Sequence, residues 1–229
     1  MALHEECLPD PLPPEPLALV AHWLAEATRA KVQPNPNAMV LATADAQGAP
    51  SARVVLCKEI RQDAGYLTFF TNYRSRKGAE LAANARAAAV MYWDVLHRQV
   101  RFEGRVTPTS AAESDAYFAS RAWQSRIGAW ASEQSAPLGS RAELVRAALD
   151  TAQRFAAPPP GSHELAAPDP GIVIPRPPHW GGYRLWLQVV ELWVEGAARL
   201  HDRARWSRTL EPAGDGFSGR GWSATRLQP

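Results

Sequence analysis

Lysine is nearly missing from this chain: Lys31, Lys58 and Lys77 stand against 22 arginines. A sequence so biased keeps lysine where a compact, flexible ammonium serves better than a planar guanidinium, although codon usage alone also produces such a ratio. Cysteine is scarcer still. Cys7 and Cys57 lie far apart and form no Cys-x-x-Cys pair, which argues against a zinc site and against a secreted disulfide framework. No apolar run approaches the roughly 18–20 residues of a membrane-spanning helix. The first residues, Met1-Ala-Leu-His-Glu-Glu6, lack the basic start and apolar stretch of a secretory signal, so a cytoplasmic protein without a membrane partner is expected. Charge of one sign is in short supply as well: the formal net charge is +2, too little for a nucleic-acid binder but enough to allow a local basic pocket for small anions.

What is present is patterned. Residues 1–16 read as an extended N-terminal segment, proline-rich from residue 9. Apolar Leu17, Val20, Ala21, Leu24 and Ala27 recur at helical spacing and predict a helix over Leu17–Lys31, ended by Pro34 and Pro36. Ala38–Ala44 and Ala52–Lys58 predict a hairpin around the turn Asp45–Pro50, and the aromatic, β-branched Gly65–Thr71 predicts another strand. Ser75 is placed to N-cap a helix running through Ala82, closed by Asn84. Ala87–Trp93 and Gln99–Thr107 read as strands, and 110–156 as helical with breaks near Arg121 and Pro137. Eight prolines between 158 and 178 predict an exposed, partly disordered loop over about 157–178. Trp180–Glu195, Arg199–Arg208 and Trp222–Leu227 return to strand-like patterning. Residues 17–229 therefore read as a single α+β domain built on an antiparallel barrel, with no βαβ alternation.

Three clusters carry charge in informative places. Arg53-Val-Val-Leu-Cys-Lys58 is a strand with a cation at each end, which equally suits a buried strand with snorkelling ends. Thr71-Asn-Tyr-Arg-Ser-Arg-Lys77 follows a strand and opens a helix. Free backbone N–H groups there favour an anion, whereas Arg76 and Lys77 are unfavourable in the first turn unless an anion compensates them or they point to water. In Arg199-Leu-His-Asp-Arg203, read as a strand, Arg199, His201 and Arg203 share one face. Such crowding calls for an anion or an electron-rich ring opposite, or for a solvated edge.

These clusters occur in one order with Arg98-Gln99-Val100, Tyr117–Arg121, Ser125-Arg-Ile-Gly-Ala-Trp-Ala-Ser-Glu-Gln-Ser135 and Trp180-Gly-Gly-Tyr-Arg184. The ordered series resembles the pyridoxamine 5′-phosphate oxidase family from about residue 10 to the C-terminus. That resemblance implies a split β-barrel surrounded by helices, a homodimer with two flavin sites at the subunit interface, and FMN as cofactor. It implies that FMN meets Arg53, Val54, Val55, Leu56, Cys57, Lys58, Phe70, Thr71, Arg76, Lys77, Gln99, Gln134, Ser135, Trp193 and Arg203. The substrate phosphate would meet Lys58, Tyr117, Arg121 and Ser125, with Arg199 and His201 against the pyridine ring as the catalytic pair. Two phosphate esters in one cavity need several cations, and the clusters supply them.

The implied reaction is oxidation of pyridoxine or pyridoxamine 5′-phosphate to pyridoxal 5′-phosphate, by hydride transfer to the flavin and with oxygen as acceptor. Two alternatives stand beside it: a flavin oxidase of the same fold acting on another small aromatic molecule, and a non-catalytic FMN or pyridoxal phosphate binder. The chain departs from the family pattern in several places. The segment His4–Leu12 lacks the usual arginine- and tyrosine-containing arm, and Ala122-Trp123 stands where a proline and a smaller residue are common. Arg126 replaces a common glutamine, and the proline-rich stretch is long. No pair of histidines has metal-ligand spacing, so no metal is expected.

Overall fold

The computed structural model describes residues 6–160 and 171–229. Five helices are present: α1 (Leu17–Ala30), α2 (Arg76–Ala83), α3 (Ala111–Ala119), α4 (Trp123–Ala131) and α5 (Arg141–Arg154). The strands are β1 (Ala38–Ala44), β2 (Pro50–Leu56), β3 (Glu59–Arg61), β4 (Tyr66–Asn72), β5 (Arg86–Trp93), β6 (Arg98–Pro108), β7 (Trp180–Val194), β8 (Asp202–Ser207), β9 (Leu210–Ala213), β10 (Gly216–Gly219) and β11 (Ser223–Leu227). By internal contacts the chain falls into two compact units. One comprises Met1–Phe69, Ala83–Thr107 and Arg184–Pro229, the other Phe70–Ala82 and Pro108–Tyr183.

The first unit holds most of a nine-stranded sheet ordered β11-β8-β7-β6-β5-β1-β2, with β4 paired to β3 and β7. Every pairing with a defined register is antiparallel, as the α+β reading requires. Alternation decides which side chains go inward. Met39 and Leu41 of β1, Ala89, Met91 and Trp93 of β5, and Val100 and Phe102 of β6 are buried. Each large apolar side chain among them contributes roughly 1.5–3 kcal/mol of burial.

The opposite face is half open. Val40 and Ala42 lie across from Val54 and Ala52 of β2 and from Val90 and Ala88 of β5. Val40, Val54 and Tyr92 remain exposed. On β6 the same face carries Gln99, Arg101 and Glu103, opposite Tyr92, Val90 and Ala88. An Arg101–Glu191 ion pair at 3.3 Å carries it on to β7. The face is therefore apolar on β2, β1 and β5, and ionic on β6, β7 and β8.

Residues 6–16 have no regular structure but are tied down along their length. The Leu8 N–H donates to Asp202 (2.8 Å), Arg226 donates to the Pro9 carbonyl (3.0 Å), and the Trp206 indole donates to the Pro13 carbonyl (2.9 Å). Buried Arg98 pairs with Glu6 (2.5 Å) and Glu26 (2.6 Å) while lying over Trp23. The Glu15 carboxylate accepts from the Leu17 and Ala18 amides and caps α1, which has no capping side chain at Pro16.

In the second unit, α3 begins with a Ser110/Glu113 capping box and α5 with Ser140 accepting from the Glu143 amide. Phe118, Trp123, Ile127, Ala152, Ile174 and Trp180 form the core. The expectation of an exposed loop over 157–178 is corrected on its return limb. There Ile174 is buried, Trp130 donates to the Pro175 carbonyl (2.7 Å), and Arg176 pairs with Asp115 (2.6 Å). Residues 161–170 of that loop lie outside the described residues.

The predicted strand Arg199–Arg208 is shorter than expected. Arg199 ends a 3-10 turn (Ala197–Arg199), His201 precedes the strand, and β8 starts at Asp202. Arg199, His201 and Arg203 therefore do not share one strand face. The chain bends because Ala198 and Arg199 take φ values of 53° and 65°, which no strand contains. The β9–β10 hairpin, unanticipated, turns through Gly214 at φ 57° and Asp215. The spacing Gly214-x-Gly216-x-x-Gly219 falls within it, with no helix following.

Candidate functional site

In the second unit the first turn of α2 places its charges differently from one another. Ser75 donates to the Asn72 carbonyl (2.7 Å) and accepts from the Gly78 amide, as an N-cap should. Arg76 is largely exposed and pairs with buried Glu80 at 2.8 Å, four residues on. Lys77 turns inward. Its buried ammonium donates to Thr71 Oγ1 (3.1 Å), Ser75 Oγ (3.1 Å) and Gln134 Oε1 (2.7 Å). The water-facing alternative thus holds for Arg76 and fails for Lys77. Lys77, Thr71 and Gln134, distant in sequence, form one hydrogen-bonded group, and Ser135 follows at φ 76°. Arg76, Gln134 and Ser135 also line a cleft of about 610 Å3, together with Asn72, Arg74 and Trp130.

A second group lies around Phe70. Its ring stacks on Tyr117 at 4.0 Å and 24°, and on Trp180 at 5.6 Å and 14°. Trp180 opens the Gly181-Gly182 pair, where a Cβ on Gly181 would meet the Tyr73 hydroxyl at 2.1 Å and one on Gly182 would meet Phe70 at 2.7 Å. Only glycine lets that strand approach. The Arg121 guanidinium, in the α3–α4 connection, sits over Trp180 at 4.8 Å and over Phe118 at 5.6 Å. Burial pulls its pKa below the usual arginine value, and its Nη1 is buried with no hydrogen-bond partner among the described residues. A desolvated guanidinium with an unsatisfied N–H is costly unless an anion completes it. Ser125 stands in the first turn of α4.

In the first unit, Arg53 donates to Thr43 Oγ1 (2.5 Å), to the Leu41 carbonyl (3.3 Å) and to Ser51 Oγ. Val54 is exposed, and Val55 and Leu56 are half-buried. Cys57 is buried, which pushes its thiol up to about 12, so it packs as a neutral apolar group. Lys58 lies beyond β2, exposed, with its amide donating to the Thr68 carbonyl. Gln99 faces the half-open side of the sheet opposite Tyr92.

Trp193 and His201 meet with ring centroids 4.7 Å apart. The Gly196 amide donates to His201 Nδ1 at 3.1 Å, so the neutral imidazole carries its hydrogen on Nε2. A side chain at residue 196 would meet the Leu200 carbonyl oxygen at 1.9 Å, which makes glycine necessary to this turn. Arg199 is exposed at the turn's end. Arg203 pairs with Glu191 at 2.7 Å and donates to the Gln228 carbonyl (3.0 Å). Glu191 had no place in the sequence reading, since a lone acidic residue in an apolar strand carries no motif.

Among the described residues no helix is long and apolar enough to cross a membrane, and no cluster of three or more His, Cys, Asp or Glu side chains could hold a metal ion.

Comparison with known proteins converges on one family. Residues 24–154 match the family model "Pyridoxamine 5′-phosphate oxidase", and residues 180–229 match "Pyridoxine 5′-phosphate oxidase C-terminal dimerisation region". A pyridoxine/pyridoxamine 5′-phosphate oxidase of Burkholderia cenocepacia is 47% identical over 216 residues, covering 94% of this chain and 90% of that protein. One from Cupriavidus necator is 48% identical with the same coverage. Among solved structures, PhzG of Burkholderia lata, in complex with tetrahydrophenazine-1-carboxylic acid, superposes with a TM-score of 0.79 at 32% identity, covering 98% of both chains. A pyridoxamine 5′-phosphate oxidase-related, FMN-binding protein of Nostoc punctiforme has a TM-score of 0.65 at 17% identity over the full length of both chains, which speaks for the fold.

Proposed function

Because the chain belongs to the pyridoxamine 5′-phosphate oxidase family, we propose that it is a cytoplasmic, FMN-dependent homodimer that oxidises pyridoxine or pyridoxamine 5′-phosphate to pyridoxal 5′-phosphate, with oxygen as acceptor. The observation that carries the substrate class is Arg121. Its buried, unsatisfied Nη1 over Trp180, four residues after Tyr117, suits a phosphate ester beside an aromatic ring. Lys58, Tyr117, Arg121 and Ser125 are the residues proposed to hold that phosphate. The proposed FMN ligands are Arg53 to Lys58, Phe70, Thr71, Arg76, Lys77, Gln99, Gln134, Ser135, Trp193 and Arg203. Within the second unit the donor set fits an anionic cofactor: a helix start, an inward ammonium and Arg76.

When bound, FMN supplies the hydride acceptor, and oxygen restores it. The protein's own task is positioning, which contributes up to about 7–11 kcal/mol in favourable systems. Arg121 anchors one end of the substrate. His201, held by the Gly196 amide and by Trp193, presents Nε2–H as a donor to a ring substituent. Arg199, with His201, orients the ring substituents and stabilises the charge that develops as the hydride leaves. The match to the dimerisation region supports self-association, and the apolar half-open face of β2, β1 and β5 is the surface a second copy would cover. A groove of about 510 Å3 floored by Ala42, Ala44 and Ala88 extends that face.

The test is anaerobic. Protein loaded with FMN is mixed with pyridoxine 5′-phosphate while the visible flavin band is followed. Bleaching that reverses on admitting oxygen, with appearance of the aldehyde, is expected. An unchanged band despite binding of both ligands would make the protein a non-catalytic binder. Bleaching by tetrahydrophenazine-1-carboxylic acid, the molecule bound in the PhzG structure, but not by the phosphate ester would favour an oxidase acting on another small aromatic molecule.

A further inference from the structure

Glu191 is a buried carboxylate, 8% exposed at its side chain, on a strand otherwise apolar around it. Both of its oxygens are taken by arginines. Oε1 accepts from Nη2 (2.7 Å) and Nε (3.2 Å) of Arg203, and Oε2 accepts from Nη1 of Arg101 (3.3 Å). Arg203 is thus gripped along one edge of its guanidinium by Glu191 and at Nη1 by the Gln228 carbonyl (3.0 Å). Arg101 in turn reaches Glu103 at 3.2 Å. A carboxylate at this depth is expensive to desolvate and persists only where its partners are fixed.

We infer that Glu191 is a positioning residue: it holds Arg203 in the one orientation in which that guanidinium meets the cofactor. The inference rests on the assignment of Arg203 to the FMN site made above. Two ideas about Glu191 predict opposite signs. As a mere charge, Glu191 repels an anionic cofactor, and neutralising it tightens binding. As a positioning group, it fixes a flexible side chain before the ligand arrives, and removing it weakens binding because Arg203 must then be ordered at the moment of association. The second sign is the one expected. The geometry favours it because the contact to Arg203 is an edge-on double donation, which fixes the guanidinium plane as a single contact would not.

The experiment measures the FMN dissociation constant of the full-length apoprotein by quenching of flavin fluorescence, at constant ionic strength. Glu191→Gln is expected to bind FMN roughly tenfold more weakly than wild type, about the effect of one charge-assisted hydrogen bond. Glu191→Asp keeps the charge but withdraws it by one methylene, and should weaken binding similarly. In an Arg203→Ala background the weakening by Glu191→Gln should disappear. Equal or tighter binding by Glu191→Gln, where Arg203→Ala alone weakens it, overturns the inference. If wild type takes up no FMN, the proposed function fails, and the apoprotein still decides the point about Glu191. The Arg203 Nε–H resonance, assigned by its loss in Arg203→Ala, should exchange slowly in wild type and fast in Glu191→Gln. An unchanged exchange rate overturns the positioning role.

Discussion

Ala198→Gly should make the protein more stable and less active. Ala198 sits at φ 53° and ψ 26°, directly before Arg199 at φ 65°. Each non-glycine residue in this left-handed region costs about 1–2 kcal/mol. Glycine removes that cost at residue 198 but enlarges the entropy of the unfolded chain, which takes back about 0.5–1 kcal/mol. Taken at the centres of these ranges, the net gain is about 0.75 kcal/mol. For a chain of this size roughly 2–4 °C accompanies each kcal/mol, so the melting temperature should rise by about 1–4 °C. Turnover should move the other way, because the side chain that narrows the backbone choice before Arg199 is gone. A several-fold fall in kcat with unchanged flavin content is expected. The assay is a thermal melt of the holoprotein followed by steady-state oxidation of pyridoxine 5′-phosphate. A melting temperature that stays level or drops would refute the strain. A higher one with undiminished kcat would show that the turn does not aim Arg199.

Arg121→Met retains the apolar contact with Trp180 and removes the anion partner. It should raise KM for the phosphorylated substrate at least tenfold while leaving FMN content intact; parallel loss of FMN would place Arg121 elsewhere. Val54→Asp sets a charge on the exposed apolar face of β2 and should convert the dimer to monomer in analytical ultracentrifugation, whereas an intact dimer would mean that another face associates. Native protein should titrate one thiol per chain with a disulfide reagent at pH 8, since Cys7 is exposed and the buried Cys57 thiol is pushed up to about 12. Two fast thiols would show that the connection between β2 and β3 opens. Gly196→Ala brings a Cβ against the Leu200 carbonyl, and activity should fall more than tenfold as His201 loses its amide donor; wild-type kcat would refute that contact.

Elements whose periodicity is local were legible without coordinates. β1 falls at Ala38–Ala44 as expected, and α2 starts behind its Ser75 cap. The conflict of Arg76 and Lys77 with the helix dipole is resolved differently by the two side chains: one finds Glu80 a turn away, the other three oxygens brought from three segments. The Arg199–Arg203 segment was misread because alternating cations mimic a strand, while the bend depends on two left-handed residues that carry no glycine to announce them. Ile174 was lost behind the surrounding prolines, which say where backbone order ends but not which side chain is swallowed by the core. Glu191 was invisible for a deeper reason. Its partners Arg101 and Arg203 lie on two other strands, and only the sheet order brings the three together.

The N-terminal strap has a consequence for how the molecule is made. Leu8 is fastened to Asp202, 194 positions later, so at about 5–20 residues per second the ribosome has been working for some 10–40 s before the strap's partner exists. Through that interval Leu8 and the indole-binding carbonyl of Pro13 have nowhere to dock, and a segment made long before its partners is among the last to settle. Nascent chains stalled before residue 202 should therefore be cut by protease within residues 6–16, and chains released after residue 229 should not.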